Sequence, residues 1–258
     1  MLFSHQEYQQ MFDVEEQLWW YKILHEKVLK TTQSAGFDIN ARILDMGCGT
    51  GGLIHFLIKN GYSNIEGFDY ADSAVEFSKS RNLNVRQLHI DLLSEIYSNK
   101  KFDVIICNDV FYSLNNSQIS NVLISVQKLL NKGGLFISNN NAFNVFRGIH
   151  DYVLGGKQRF RLGDLKLLNQ NTGLEITKHT YWSFLLSPPI LMIRTIQRLK
   201  MKLNLVDLNN LRSDVALPSR TVNSLFYQIV KIEGILIKTA PFGSSLLTVF
   251  RKSTTFSD

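Results

Sequence analysis

The segment Ile43-Leu44-Asp45-Met46-Gly47-Cys48-Gly49-Thr50-Gly51-Gly52 constrains this chain more than any other. A β-type run leads into a stretch with four glycines in six residues (47–52), and an amphipathic stretch follows. Glycine adopts left-handed backbone and offers no Cβ, so such a loop turns sharply and lets a ligand approach its backbone closely. Gly47, Gly49 and Gly52 also satisfy G-x-G-x-x-G, which brings nicotinamide and flavin dinucleotides into consideration. Asp45 weighs against them. It lies two residues before the first glycine, and a carboxylate beside a pyrophosphate is repelled in a dry cleft. The same carboxylate suits a ligand that carries an ammonium and a sulfonium.

The rest of the chain repeats this alternation. Residues 42–46, 64–68, 84–89, 102–107, 134–138 and 174–181 read as strands. Residues 53–60, 73–81, 117–131 and 163–172 read as helices, and Lys132-Gly133-Gly134 reads as a helix stop and turn before the fifth strand. Strands and helices alternating at this spacing predict an α/β fold with a doubly wound parallel sheet and right-handed crossovers. Acids then recur at strand ends. Asp69 closes the second strand, where a carboxylate can accept both hydroxyls of a ribose. Asp91 follows the third, where it can accept from an adenine amino group with Leu92 against the ring.

Composition agrees and excludes some classes. With 258 residues, 45% hydrophobic and 19% charged, the chain can bury a large core. Its two cysteines rule out a disulfide scaffold and a four-cysteine zinc site, and no metal is expected. Cys48 reads as a small loop filler and Cys107 as a buried strand residue, since neither has a basic neighbour in sequence. No apolar run reaches the ~18 residues of a membrane span. The first residues, MLFSHQEYQQMFDVEE, are polar and acidic where a signal peptide is basic and then apolar, which predicts a cytoplasmic protein.

Taken in order, Asp45-x-Gly47-x-Gly49-x-Gly51, Asp69, Asp91, Phe102–Val110 and the Leu129–Gly134 turn resemble a class I S-adenosylmethionine-dependent methyltransferase over residues ~40–140. The resemblance implies a seven-stranded Rossmann-like sheet in the order 3-2-1-4-5-7-6 with the last strand antiparallel, for which residues 245–251 are the candidate. It implies S-adenosylmethionine as cofactor and S-adenosylhomocysteine as product. The implied cofactor set is Asp45, Gly47, Cys48, Gly49, Thr50 and Gly51 of the loop, Asp69 with Tyr70, Asp91 with Leu92, and Asn108 after the fourth strand. Three further segments resemble a narrower group that modifies small metabolites, glycans or lipid-linked intermediates: Glu15–Tyr21, Arg159-Phe160 with the following helix, and Pro241–Ser245.

The ends divide off. Residues 1–40 are expected to form a helical lid, with Met11, Val14, Leu18, Tyr21 and Leu24 on one helix face and Trp20 of the Trp19-Trp20-Tyr21 cluster reaching the cofactor. Residues 41–182 form the core, 183–241 a helical cap and 242–258 the final strand and tail. The cap opens with the apolar run 184–193 and continues with Arg194, Arg198, Lys200 and Lys202, so a peripheral membrane contact through 184–202 is an expectation beside a pocket wall. Part of the net +6 sits there, and no nucleic-acid partner is expected. On the substrate side His150 is the candidate base, with Tyr112 beside it and Asp109 to orient an amine. The sequence reading is methyl transfer to an O or N atom of a small or amphiphilic molecule. A scaffold or peripheral membrane protein without turnover and a nicotinamide oxidoreductase are the alternatives. No Asn-Pro-Pro-aromatic motif follows strand four, which disfavours a base-flipping enzyme.

Overall fold

The computed structural model describes residues 4–153, 155–203, 205 and 215–253, without the side chains of His150 and Val153. Seven strands form one sheet: β1 (Ile43–Met46), β2 (Ile65–Asp69), β3 (Val85–Gln87), β4 (Phe102–Asn108), β5 (Leu130–Asn141), β6 (Leu174–Trp182) and β7 (Ser245–Lys252). Their order is β3-β2-β1-β4-β5-β7-β6, and β7 runs antiparallel to both its neighbours. This is the order and the antiparallel last strand that the sequence implied.

Strand composition explains the layering. Side chains alternate across a strand, so a sheet covered on both faces needs apolar residues at nearly every position. Leu44, Ile105, Cys107 and Phe136 pack into one core, and Ile43, Val104, Ile106, Leu135 and Ile137 into the other. The first face is covered mainly by α6 (Asn116–Leu129) and α8 (Leu162–Leu168), which supply Val122, Val126 and Leu165. The second is covered by α2 (Trp19–Ser34), α3 (Gly52–Lys59) and α10 (Arg220–Leu236), which supply Val28, Ile54 and Val230. α4 (Asp72–Ser80) follows β2, and the one-turn α5 (Leu93–Ile96) follows β3. α7 (Ile149–Val153) and α9 (Ser187–Lys202) lie on the side where β4 and β5 end.

Several expected boundaries move. The third strand ends at Gln87, because His89 caps a 3-10 turn over Ile90–Leu92. The fifth begins at Leu130, which already pairs with Phe102. The Lys132-Gly133-Gly134 turn therefore falls inside β5, as a bulge with Gly133 at φ +75°. α10, inside the segment read as a cap, is a helix that the sequence reading did not resolve. It joins α2: Asn223 accepts from the Trp19 N–H (2.9 Å) and donates to Gln17 O (2.9 Å).

The N-terminal region is not one helix. α1 (His5–Val14) and α2 are separated by residues 15–18, because Glu15 turns inward. Its carboxylate accepts from the Thr50 hydroxyl (2.5 Å) and from Arg81 Nη1 (2.6 Å). Both charged side chains are buried, Glu15 at 4% exposure and Arg81 at 9%, so each depends on the other for compensation. Arg81 also lies over the Phe12 ring at 4.2 Å. One ion pair thus ties the N-terminal segment to the glycine loop and to the end of α4. Glu15→Gln keeps the shape and leaves the buried Arg81 with only Glu16, at 3.8 Å, as an anion. Chemical denaturation is expected to show a loss of about 3 kcal/mol.

Candidate active site

A cavity of about 620 Å³ opens at the carboxyl ends of β1, β2 and β4, where doubly wound sheets bind ligands. The glycine loop forms its floor. Gly47 sits at φ +67° and Gly49 at φ +55°, a backbone region that side chains resist. A Cβ on Gly47 would come within 2.4 Å of Val110 Cγ2. Loop and sheet are joined through Asp69, whose carboxylate accepts from the Gly49 N–H and the Ala71 N–H, both at 3.0 Å. The Tyr70 backbone and the Tyr8 side chain add to these donors, so Asp69 also ties α1 to the loop.

Ten of the residues expected at the site line this cavity: Asp45, Gly47, Cys48, Gly49, Asp69, Tyr70, Asn108, Asp109, Tyr112 and Trp20. Others do not. Thr50 is turned back to Glu15, and Gly51, at φ +82°, is the N-cap of α3 behind the wall. Asp91 is exposed and accepts from Gln118 Nε2 at 3.4 Å; Gln118, His89 and Ile90 line the cavity beside it. Leu92 is exposed, because the 3-10 turn after β3 carries it outward. His150 lies in α7, and its side chain falls outside the described residues.

The wall near the strand tips is rich in acceptors and poor in cations. Asp45 is buried, and burial together with Asp69 and Glu15 pushes its carboxyl up to about 7. Burial likewise pushes Asp109 up to about 7, against the Asn139 amide and Arg159, which favour the charged form. Burial raises Asp69 as well, despite its backbone donors. Asn108 Oδ1 and Asp109 Oδ1 are buried and have no hydrogen-bond partner. Burial also raises both cysteine thiols well above their ordinary value, so neither is poised as a thiolate.

Asp109 is held in place by a chain of bonds. Its backbone is left-handed at φ +52°, uncommon for a residue with a side chain. Its N–H donates to Asn139 O (2.8 Å), and its Oδ2 accepts from Asn139 Nδ2 (2.9 Å). Asn139 in turn accepts from Trp182 Nε1 (2.9 Å), and Trp182 stacks on Trp20 of α2 at 5.5 Å between centroids. Helix α2 and the acid are thereby coupled. Asn139, Trp182, Glu15, Tyr8 and Met11 were not read from the sequence as site residues. Tyr8 and Met11 come from α1 and form the outer wall over the loop. Arg159, which grips both oxygens of Asp151 (2.7 and 3.0 Å), and Arg194 of α9 stand on the wall with Lys157.

Residues 37–153 match a family model described as a methyltransferase domain. The chain is 28% identical over 145 residues to EEF1A lysine methyltransferase 2 of Danio rerio, covering 51% of this chain and 61% of that protein. It is 30% identical over 158 residues to ubiquinone biosynthesis O-methyltransferase of Rickettsia canadensis (strain McKiel), covering 53% of this chain and 66% of that protein. The chain thus spans just under two thirds of the length of these relatives. Among solved structures, a S-adenosylmethionine-dependent methyltransferase from Clostridium acetobutylicum ATCC 824 shares the fold at TM-score 0.56 and 12% identity, over 90% of this chain and 92% of that one. Strand order, loop and family match point the same way: residues 37–153 are similar to a methyltransferase domain and sit in a sheet of order β3-β2-β1-β4-β5-β7-β6.

The raised carboxyls set a pH signature. Between pH ~4 and ~7 the folded chain holds protons on Asp45 and Asp109 that the unfolded chain has released. Their contribution to stability is complete below the ordinary carboxylate value and is lost as pH rises through about 7. Asp45→Asn removes one of these groups. In denaturation at pH 5 and pH 8, the variant is expected to lose less stability than wild type between the two.

Proposed function

We propose that the protein transfers a methyl group from S-adenosylmethionine to an oxygen or nitrogen of a small or amphiphilic acceptor. The carrying observation is the cluster of buried acids Asp45, Asp69 and Asp109 around a glycine-loop cavity, two of them raised to about 7 by burial, Asp45 with Asp69 and Glu15 beside it and Asp109 in spite of Arg159. A ligand with an ammonium, a sulfonium and ribose hydroxyls supplies the positive charge and the donors that this wall lacks. The orphaned oxygens of Asn108 and Asp109 support the same fit. A dinucleotide would bring a pyrophosphate to the same carboxylates.

Asp69 would hold the ribose and Asp45 the ammonium, with Gly47 and Gly49 giving close approach to the backbone. Gln118, beside the exposed Asp91, would face the adenine. When bound, S-adenosylmethionine supplies an already activated methyl group, so the protein's part is position and exclusion of water. Asp109 Oδ1 would accept a proton or orient a donor on the acceptor, a task suited to a carboxyl near 7. The aromatic and aliphatic wall of Trp19, Trp20, Leu18 and Ile190 favours an acceptor with an apolar body. The named relatives differ in acceptor, one a protein lysine methyltransferase and one an O-methyltransferase of ubiquinone biosynthesis.

Calorimetry with S-adenosylhomocysteine tests the cofactor. Wild type is expected to bind, and Asp69→Ala to weaken binding by about 100-fold through loss of two hydrogen bonds to a charged acceptor. Absence of binding by wild type, or tight quenching of NADH fluorescence instead, contradicts the reading. With an acceptor in hand, Asp109→Asn is expected to lower kcat by roughly 10²-fold and to remove a rise in rate through pH ~7.

A further inference from the structure

Helix α9 leaves an apolar stripe in solvent that a helix packed on a protein would ordinarily bury. Its inner side is mixed: Ile190 packs on the second core, while Arg194 Nη1 donates to Gln197 Oε1 (2.8 Å), which also accepts from the Ile149 N–H (3.3 Å). Its outer side carries Met192, Ile196, Leu199 and Leu203, each between 47% and 61% exposed. At 3.6 residues per turn these four share a sector of about 60°. Lys200 flanks the stripe on one edge and Lys202 on the other, both exposed. Ile193, also exposed, widens the apolar face on the Lys200 side.

An apolar stripe bordered by lysines on both edges fits one kind of surface. Lying in the plane of a membrane, it would bury the stripe at the level of the acyl chains while the lysines reach anionic headgroups. No described helix is long and apolar enough to cross a membrane, so the contact would be in-plane. The exposed stripe of α10, Leu225, Ile232 and Leu236, lacks such a border, because Lys231 is engaged by Glu26 and Tyr227. The same α9 that presents the stripe also contributes Ile190 and Arg194 to the cavity wall, where Val215 and Pro218 join them.

We propose that α9 seats the protein on an anionic lipid surface and so brings one wall of the cavity to headgroup depth, making the acceptor a membrane-borne amphiphile. The choice of acceptor rests on the methyl-transfer reading; the lipid contact does not.

Cosedimentation of the full chain tests the contact, with vesicles of phosphatidylcholine alone and of phosphatidylcholine mixed with phosphatidylglycerol. The expected result is binding to the anionic vesicles, weakened by salt, and little binding to the neutral ones. The double variant Ile196→Asn/Leu199→Asn is expected to weaken that binding at least tenfold. Lys200→Glu/Lys202→Glu is expected to abolish the preference for anionic lipid, and it changes only exposed side chains should the apolar variant fold poorly. A wild-type chain that stays in the supernatant with both vesicles overturns the proposal, whether it is monomeric or self-associated by sedimentation velocity. So does binding that neither variant changes. S-adenosylhomocysteine calorimetry without vesicles tests the cofactor reading separately, and its failure would leave the vesicle result standing.

Discussion

Uncompensated negative charge at the carboxyl edge of the sheet is the constraint around which this molecule is arranged. Asp45, Asp69 and Asp109 end or follow the parallel strands β1, β2 and β4, and Glu15 enters from the N-terminal segment. Like charges in low dielectric repel strongly and resist ionisation. The fold meets this in three ways. Glu15 is given Arg81; Asp69 is given backbone N–H groups; Asp45 and Asp109, raised by burial as the other two are, go up to about 7. A well-packed apolar residue at position 45 would relieve this repulsion, so its presence calls for a ligand.

The N-terminal segment is part of the same arrangement. Glu15 breaks the N-terminal helix in two, and α1 lies over the loop that Asp69 holds. Trp20 stacks on Trp182, which holds Asn139, which holds Asp109. Ordering of the N-terminal segment and placement of Asp109 are therefore linked through packed rings and hydrogen bonds. A ligand that neutralises the acids would stabilise that segment as well.

Much of this was legible in the sequence, because the strands are buried on both faces and so read as dense apolar runs punctuated by glycine and acid. The strand order followed from the resemblance, and the loop with Asp45, Asp69, Asn108 and Asp109 is brought to one cavity. Asp91 and Leu92 illustrate a limit: a strand ending two residues early, at Gln87, turns both side chains outward. Asn139 and Trp182 carried no local signal and Glu15 only its place in a recognisable segment, since their roles come from partners 30, 43 and 35 residues away in the chain. α10 escaped notice because its apolar residues do not all face the protein: Val230 is buried, while Leu225, Ile232 and Leu236 lie in solvent.

The central claim is that the acid cluster awaits a cation. Calorimetric titration of S-adenosylhomocysteine at pH 6.5, in buffers of different ionisation enthalpy, measures the protons exchanged on binding. If Asp45 is held near 7 by burial and its neighbours, binding of an ammonium beside it releases a substantial fraction of a proton, and Asp45→Asn releases less. Binding with no proton release, or with uptake, would contradict the account.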